Sequence, residues 1–106
     1  MDPETIVSVR DNAQRSRFEV LVEGEVVGFA EYNPEGDALA MSHTEVDPAY
    51  EGQGLGSRLI GEALAEIRGR GLKVLPYCSF VRAYVQRHEE LRSLVPEDQR
   101  DRFVLS

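Results

Sequence analysis

A single cysteine, Cys78, means that no internal disulfide can form, and nothing in the sequence asks for an oxidising compartment. Cations are few: 12 Lys and Arg stand against 19 Asp and Glu, a formal charge of −7. Nucleic-acid binding rests on neutralising phosphates with Lys and Arg, so a nucleic-acid partner is not expected. The acidity suits a solubilising surface or a preference for basic substrates. No apolar run is long enough to cross a membrane, and Met1-Asp2-Pro3-Glu4 does not read as a signal peptide. No membrane partner is expected, and a cytoplasmic location follows by default. No Cys/His cluster has metal-ligand spacing, so no metal is expected. Internal repeats and low-complexity segments are also missing.

What is present is an ordinary globular composition, 42% hydrophobic and 29% charged. The 106 residues suffice for one domain over 1–106 and leave no room for a separate substrate domain. Thr5 to Arg10 is rich in β-branched residues and reads as a first strand, with Asp11-Asn12 as a turn. Arg17 to Val22 alternates, with Phe18, Val20 and Val22 on one face and Arg17 and Glu19 on the other, the period of a half-buried strand. Glu23-Gly24-Glu25 turns the chain into a third strand over Val26 to Tyr32. Asn33 to Asp37 reads as a loop, and Ala38 to Val46 as a fourth strand ended by Asp47-Pro48. Four strands with short connections imply an antiparallel meander.

Leu55, Leu59, Ile60, Ala63, Leu64 and Ile67 share one helical face, predicting a helix from Gly54 to about Gly69 with Gly71 as its stop. Leu72 to Leu75, closed by Pro76, reads as a fifth strand. A helix between it and the fourth fits a right-handed crossover and parallel pairing. Ser79 is placed to cap a second helix carrying a stripe of Phe80, Val81, Tyr84, Val85 and His88. Beyond about residue 90 the chain is mixed in charge and reads as loosely ordered, with a helical turn over Glu97 to Phe103. The class is α+β (α/β).

The most informative stretch is Glu45 to Arg58. Glycines at 52, 54 and 56 keep side chains away from the backbone and permit tight-turn dihedrals. The first turn of the following helix leaves amide N–H groups unpaired at the positive end of the helix dipole. That combination is an anion site, most naturally for a phosphate or diphosphate. It is not a Walker loop, since Gly-Lys-Ser/Thr is missing, nor a dinucleotide fingerprint, since the spacing is Gly-x-Gly-x-Gly after a meander.

Val46-Asp47-Pro48-Ala49-Tyr50-Glu51-Gly52-Gln53-Gly54-Leu55-Gly56-Ser57 resembles the acetyl-coenzyme A motif of the GCN5-related N-acetyltransferases, written [Q/R]-x-x-G-x-[G/A], with Gly54 and Gly56 on the small positions. With Ser42 to Val46 before it and Pro76 to Val81 after it, residues 5 to 90 are similar to the minimal, roughly 100-residue acetyltransferase-like members. The resemblance implies the minimal acyl-CoA N-acyltransferase fold: antiparallel meander, crossover helix, parallel fifth strand and C-terminal helix. It implies acetyl-coenzyme A as cofactor and a small-molecule or peptide amine as acceptor. A coenzyme A binding module without catalysis is the alternative. Glu51 departs from the motif, standing where Gln or Arg is usual, and leaves Arg58, one turn into the helix, to supply the cation.

Acyl transfer to an amine needs a held cofactor, a donor for the developing oxyanion and an acceptor for the amine's proton. The resemblance assigns cofactor binding to Glu45, Val46, Gln53, Gly54, Leu55, Gly56, Ser57 and Arg58, and places the pantetheine arm where the fourth and fifth strands splay. The amide of Val46 or a neighbour is the oxyanion donor. His43 either accepts the amine's proton or fills a mixed strand face with Met41 and Leu39. Cys78 is an acyl carrier, a proton relay or a small packed residue. Were the strands to diverge around the acyl group, His43 and Cys78 would face one cleft as a catalytic pair. Glu45 shares the strand face of His43 and is a base through water, an orienting group for the turn or a solvated carboxylate. Tyr84 and His88, one helical turn apart, line the acceptor side or the core.

Overall fold

The structure is a computed structural model describing residues 2–103. Five strands form one sheet in chain order. β1 (Val7–Asn12), β2 (Arg17–Val22), β3 (Glu25–Glu35) and β4 (Ala38–Val46) are antiparallel, and β5 (Lys73–Pro76) joins β4 in parallel after the helix α1 (Leu55–Gly69). A second helix, α2 (Ser79–Arg87), follows, with 3-10 turns at Glu89–Leu94 and Glu97–Gln99.

α1 lies across the sheet because its six spaced apolar residues, Leu55, Leu59, Ile60, Ala63, Leu64 and Ile67, are all buried. A fully buried Leu or Ile side chain contributes about 1.5–3 kcal/mol. The exposed Arg58–Glu62 pair on the same helix is worth only ~0.3–0.5 kcal/mol, so burial, not surface charge, docks the helix. Gly71 ends it in the left-handed region at φ 72°, and the Leu72 N–H donates to the Ile67 carbonyl at 3.1 Å. Phe18 and Tyr32, 5.3 Å apart, lie on the α1 side of the sheet, as the Arg70 guanidinium over Phe18 shows.

Several boundaries differ from expectation. β1 starts at Val7 and keeps Asp11 and Asn12, because both turn-formers find partners inside the sheet. Asp11 accepts from Tyr32 Oη at 2.6 Å and pairs with Arg70 at 2.9 Å, while Asn12 donates to Glu19 at 3.3 Å. β3 runs through Asn33-Pro34-Glu35, reducing the loop to Gly36 and Asp37. Pairing with β2 stops at Glu31, so Pro34 sits where β3 has only β4 beside it and its missing N–H disturbs no ladder. Glu19 is not on a solvated face but buried, 1% exposed.

As far as Phe103 the tail is also ordered by burial rather than loose, and residues 104–106 of that expectation lie outside the described residues. Leu94, Val95 and Phe103 enter the core, and Lys73 Nζ reaches the Ser93 carbonyl at 3.1 Å. Because Ala40 pairs with Leu75 opposite the α1 side, this tail covers the sheet's second face near β5.

Candidate active site

β4 is zipped to β5 only from Ala38↔Lys73 to Met41↔Pro76. Lys73 donates its N–H to the Asp37 carbonyl at 2.9 Å, so by alternation Pro76 turns its nitrogen away from β4. The ladder ends because the Tyr77 N–H turns back to the Leu75 carbonyl at 3.0 Å, and the Met41 carbonyl accepts from the Cys78 N–H at 2.8 Å. The chain then turns into α2, so among the described residues Ser42–Val46 has no strand beside it on that edge. Asp47 donates its N–H to Val27 of β3 at 2.7 Å. Strand alternation therefore turns the N–H of Val46 the other way, into the gap.

At the open end, Asp47 Oδ1 caps the short turn Pro48–Tyr50 by accepting from the Ala49 N–H at 2.9 Å. Gly54, at φ 73°, is the N-cap residue of α1, and no side chain caps the helix. The first helical bond, Arg58 N–H to the Gly54 carbonyl at 3.1 Å, leaves the N–H groups of Leu55, Gly56 and Ser57 without helical partners. A Cβ on Gly56 would lie 2.8 Å from Phe80 Cζ and would push aside the half-exposed Phe80 ring of α2, which rests on this turn. The result is a cleft of about 330 Å³ lined by Thr44, Val46, Tyr50, Leu55, Ser57 and Phe80 among others.

The structure divides the expected site residues between two faces of the sheet. The β3–β4 register passes from Tyr32↔Met41 to Glu31↔His43, leaving Ser42 as a bulge. Met41 faces α1 with Tyr32, whereas His43 faces away with Glu31, so His43 does not share the face of Met41 and Leu39. Its Nε2 is 3.9 Å from Glu45 Oε1 and its ring lies 6.0 Å from that of Phe29. Thr44, paired with Ala30, returns to the α1 side, where Cys78 Sγ donates to Thr44 Oγ1 at 3.4 Å. His43 and Cys78 thus flank β4 from opposite faces instead of meeting in one cleft. Ser79 is the first residue of α2, and Cys78 itself occupies the N-cap without a side-chain cap bond.

Two further expectations need correction. Arg58 does not offset Glu51: its Nε is bonded to Glu62 at 2.8 Å and its Nη2 to the Val7 carbonyl at 2.9 Å, directing the guanidinium toward β1. Among the described residues no Lys or Arg lines the cleft, and Glu51 does. Gln53 is exposed outside the lining, leaving its backbone as its only link to the turn. Of the α2 stripe only Val81 and Val85 are buried; Tyr84 stacks on His88 at 4.0 Å, and its Oη would lie 2.6 Å from a Cβ on Gly61. Thr44, Tyr50 and the position of Phe80 over Gly56 were not found from sequence. The need for a glycine inside a helical turn was the one available signal for Phe80.

A second depression, about 780 Å³, lies across the same strand ends and is lined by Arg17, Val26, Phe29, Glu45 and Asp47. Val46 and Glu51 line both depressions, so the two meet at the end of β4. Among the described residues no group of three His, Cys, Asp or Glu is placed to hold a metal ion, and no helix is long and apolar enough to cross a membrane.

A meander that parts from a parallel fifth strand beside a glycine-rich helix start defines the acyl-CoA N-acyltransferase class of fold. Residues 17–94 match the family model described as GCN5-related N-acetyl-transferase, and the chain belongs to that family. A 42-residue stretch is 48% identical to mycothiol acetyltransferase of Rhodococcus jostii (strain RHA1), covering 39% of this chain and 14% of that protein. A GNAT family acetyltransferase from Brucella melitensis, solved in complex with acetyl-CoA, superposes with a TM-score of 0.53 at 26% identity, over 68% of this chain and 54% of that one. The ribosomal-protein-S18-alanine N-acetyltransferase of Escherichia coli shares the fold, with a TM-score of 0.51 at 23% identity over 70% of this chain and 42% of that one. The chain therefore spans about half or less of these proteins.

Proposed function

We propose that this chain moves an acetyl group from acetyl-coenzyme A to a primary amine. One observation carries the reading: the uncapped start of α1 opens onto the gap left where β5 departs from β4. The residues present suit a diphosphate. A Cβ on Gly52 or Gly54 would meet only open space, so a ligand can approach the main chain there. The N–H groups from Gln53 to Ser57 bind such an anion by dipole and hydrogen bond alone. Bound acetyl-coenzyme A supplies a thioester carbonyl, the electrophile of the transfer.

The chain's own groups then divide the work by face. The Val46 N–H, turned into the gap, serves as oxyanion donor. On the α1 side, Cys78 Sγ–H, oriented by its bond to Thr44 Oγ1, holds the proton that would go to the departing thiolate, in balance with the one His43 removes from the amine. On the other side, His43 Nε2 takes the proton of the incoming amine, with Glu45 at 3.9 Å to balance the imidazolium. The amine therefore approaches from the Phe29 face. The tests are direct. Titrated coenzyme A should shift the amide signals of Gln53 to Ser57, and Cys78→Ala should slow acetyl-coenzyme A consumption in the presence of an accepting amine. Unmoved amides would end the reading.

A coenzyme A binding module without transfer is the second reading. It is favoured by Glu51 on the cleft wall and by the engagement of Arg58 elsewhere. A covalent acetyl adduct or amine-dependent turnover decides for the enzyme.

A further inference from the structure

The face of the sheet away from α1 carries two cross-strand rows. Glu19, Phe29 and Glu45 lie opposite one another on β2, β3 and β4, and Arg17, Glu31 and His43 form the next row. Glu19 is 1% exposed, a charge removed from water on a central strand. Isolated burial of a carboxylate is prohibitive, and here three donors offset it. Arg10 Nε reaches it at 2.9 Å, Arg17 Nε at 2.8 Å and Asn12 Nδ2 at 3.3 Å. Burial pushes the Glu19 carboxyl up, but bonds from Arg10, Arg17 and Asn12 together prevail and hold it below the usual carboxylate range.

Stability alone does not explain this arrangement. An apolar residue would fill the site of a buried ion network as well or better. What an apolar residue would not do is fix a guanidinium. Arg17 is 19% exposed in its side chain and sets its guanidinium carbon over Phe29, 4.5 Å from the ring centre, while the His43 ring on β4 lies tilted by 55° to Phe29 at 6.0 Å. A cation held over an aromatic ring and anchored at its back makes that ring a rigid wall. Arg17, Phe29 and Glu45 line the larger depression, whereas Glu19 stands behind them, 1% exposed and outside the lining.

We propose that Glu19 and Arg17 are positioning residues: they lock Phe29 as the wall against which the His43 imidazole is set on the amine side. The inference rests on the amine-side role given to His43 under the proposed function. Glu31 and Glu45 are the other charged groups facing His43, from β3 and β4.

The test uses the full chain with Glu19→Gln, Arg17→Lys and Phe29→Leu, each checked for coenzyme A affinity, acceptor kcat and KM, and the ring proton signals of His43. Glu19→Gln and Arg17→Lys should bind coenzyme A within about twofold of the parent, lower kcat about tenfold with little change in acceptor KM, and move the His43 signals. Should Glu19→Gln not fold, Arg17→Lys and Phe29→Leu give the same readouts, since neither removes the buried carboxylate. Folded variants with unmoved His43 signals and unchanged kcat overturn the proposal. So does a kcat loss that tracks lost coenzyme A affinity with the His43 signals unmoved. If the parent transfers to no amine, the proposed function fails by itself, and the His43 signals of Arg17→Lys still decide whether the wall exists.

Discussion

The two halves of β4 belong to one strand and have opposite fates. Ala38–Met41 is buried at four consecutive positions, with α1 on one side, the tail on the other and β5 along its edge. Ser42–Val46 has β3 on one edge and a gap on the other, and none of its residues is fully buried. The difference lies in the neighbour, not in the strand: β5 is four residues long and ends in proline. The lesson is that a functional opening can be made by shortening a partner while the strand that borders it stays regular except for one bulge.

Substitutions in the two halves should separate stability from activity. The largest effect is expected in the zipped half, where Met41 is fully buried: Met41→Ala should cost about 2–5 kcal/mol of unfolding free energy in a urea titration. His43→Ala, in the open half and 54% exposed in its side chain, should leave that titration almost unchanged and slow acetyl transfer about a hundredfold. A large stability loss from His43→Ala would erase the contrast.

The zipped half also has a pH signature. Tyr32, across from Met41, is pushed up to about 12 by burial and then by its bond to Asp11. A phenol that holds its proton more tightly when folded stabilises the protein fully below pH ~10, and that contribution fades as pH rises through about 12. The loss should approach ~2–3 kcal/mol and should vanish in Tyr32→Phe, as read by denaturation at several alkaline pH values. The smallest expected effect is at the mouth of the gap. Gly56→Ala places a Cβ against Phe80 and should weaken coenzyme A binding about tenfold, or ~1.4 kcal/mol, with unfolding changed little. Calorimetric titration checks it.

Much of the fold was legible because period and punctuation are local. β4 was bounded correctly by Ala38 and Asp47, and α1 by its six spaced apolar residues. Pro34 misled because proline reads as a strand breaker unless one knows that β2 ends before reaching it. The tail misled because Leu94, Val95 and Phe103 are buried from 3-10 turns and irregular chain, with no helical or strand period to reveal them. In the site, the glycine turn was legible from composition and spacing. The facing of His43 was not, since the Ser42 bulge inverts the alternation that places a side chain on one face or the other, and a bulge is a property of two strands. The engagement of Arg58 with Val7, 51 residues away, is tertiary in the same way.

The turn that follows β5 has a kinetic consequence. A gap bounded by ordinary residues would close by adding rungs whenever no guest was present, and each arrival would then wait for the rungs to break. Here the next N–H due to β4, that of Tyr77, is already given to the Leu75 carbonyl and the chain leaves for α2, so the doorway between the strands stands ajar in the resting molecule, and association should proceed in one step whose rate tracks ligand concentration without reaching a ceiling.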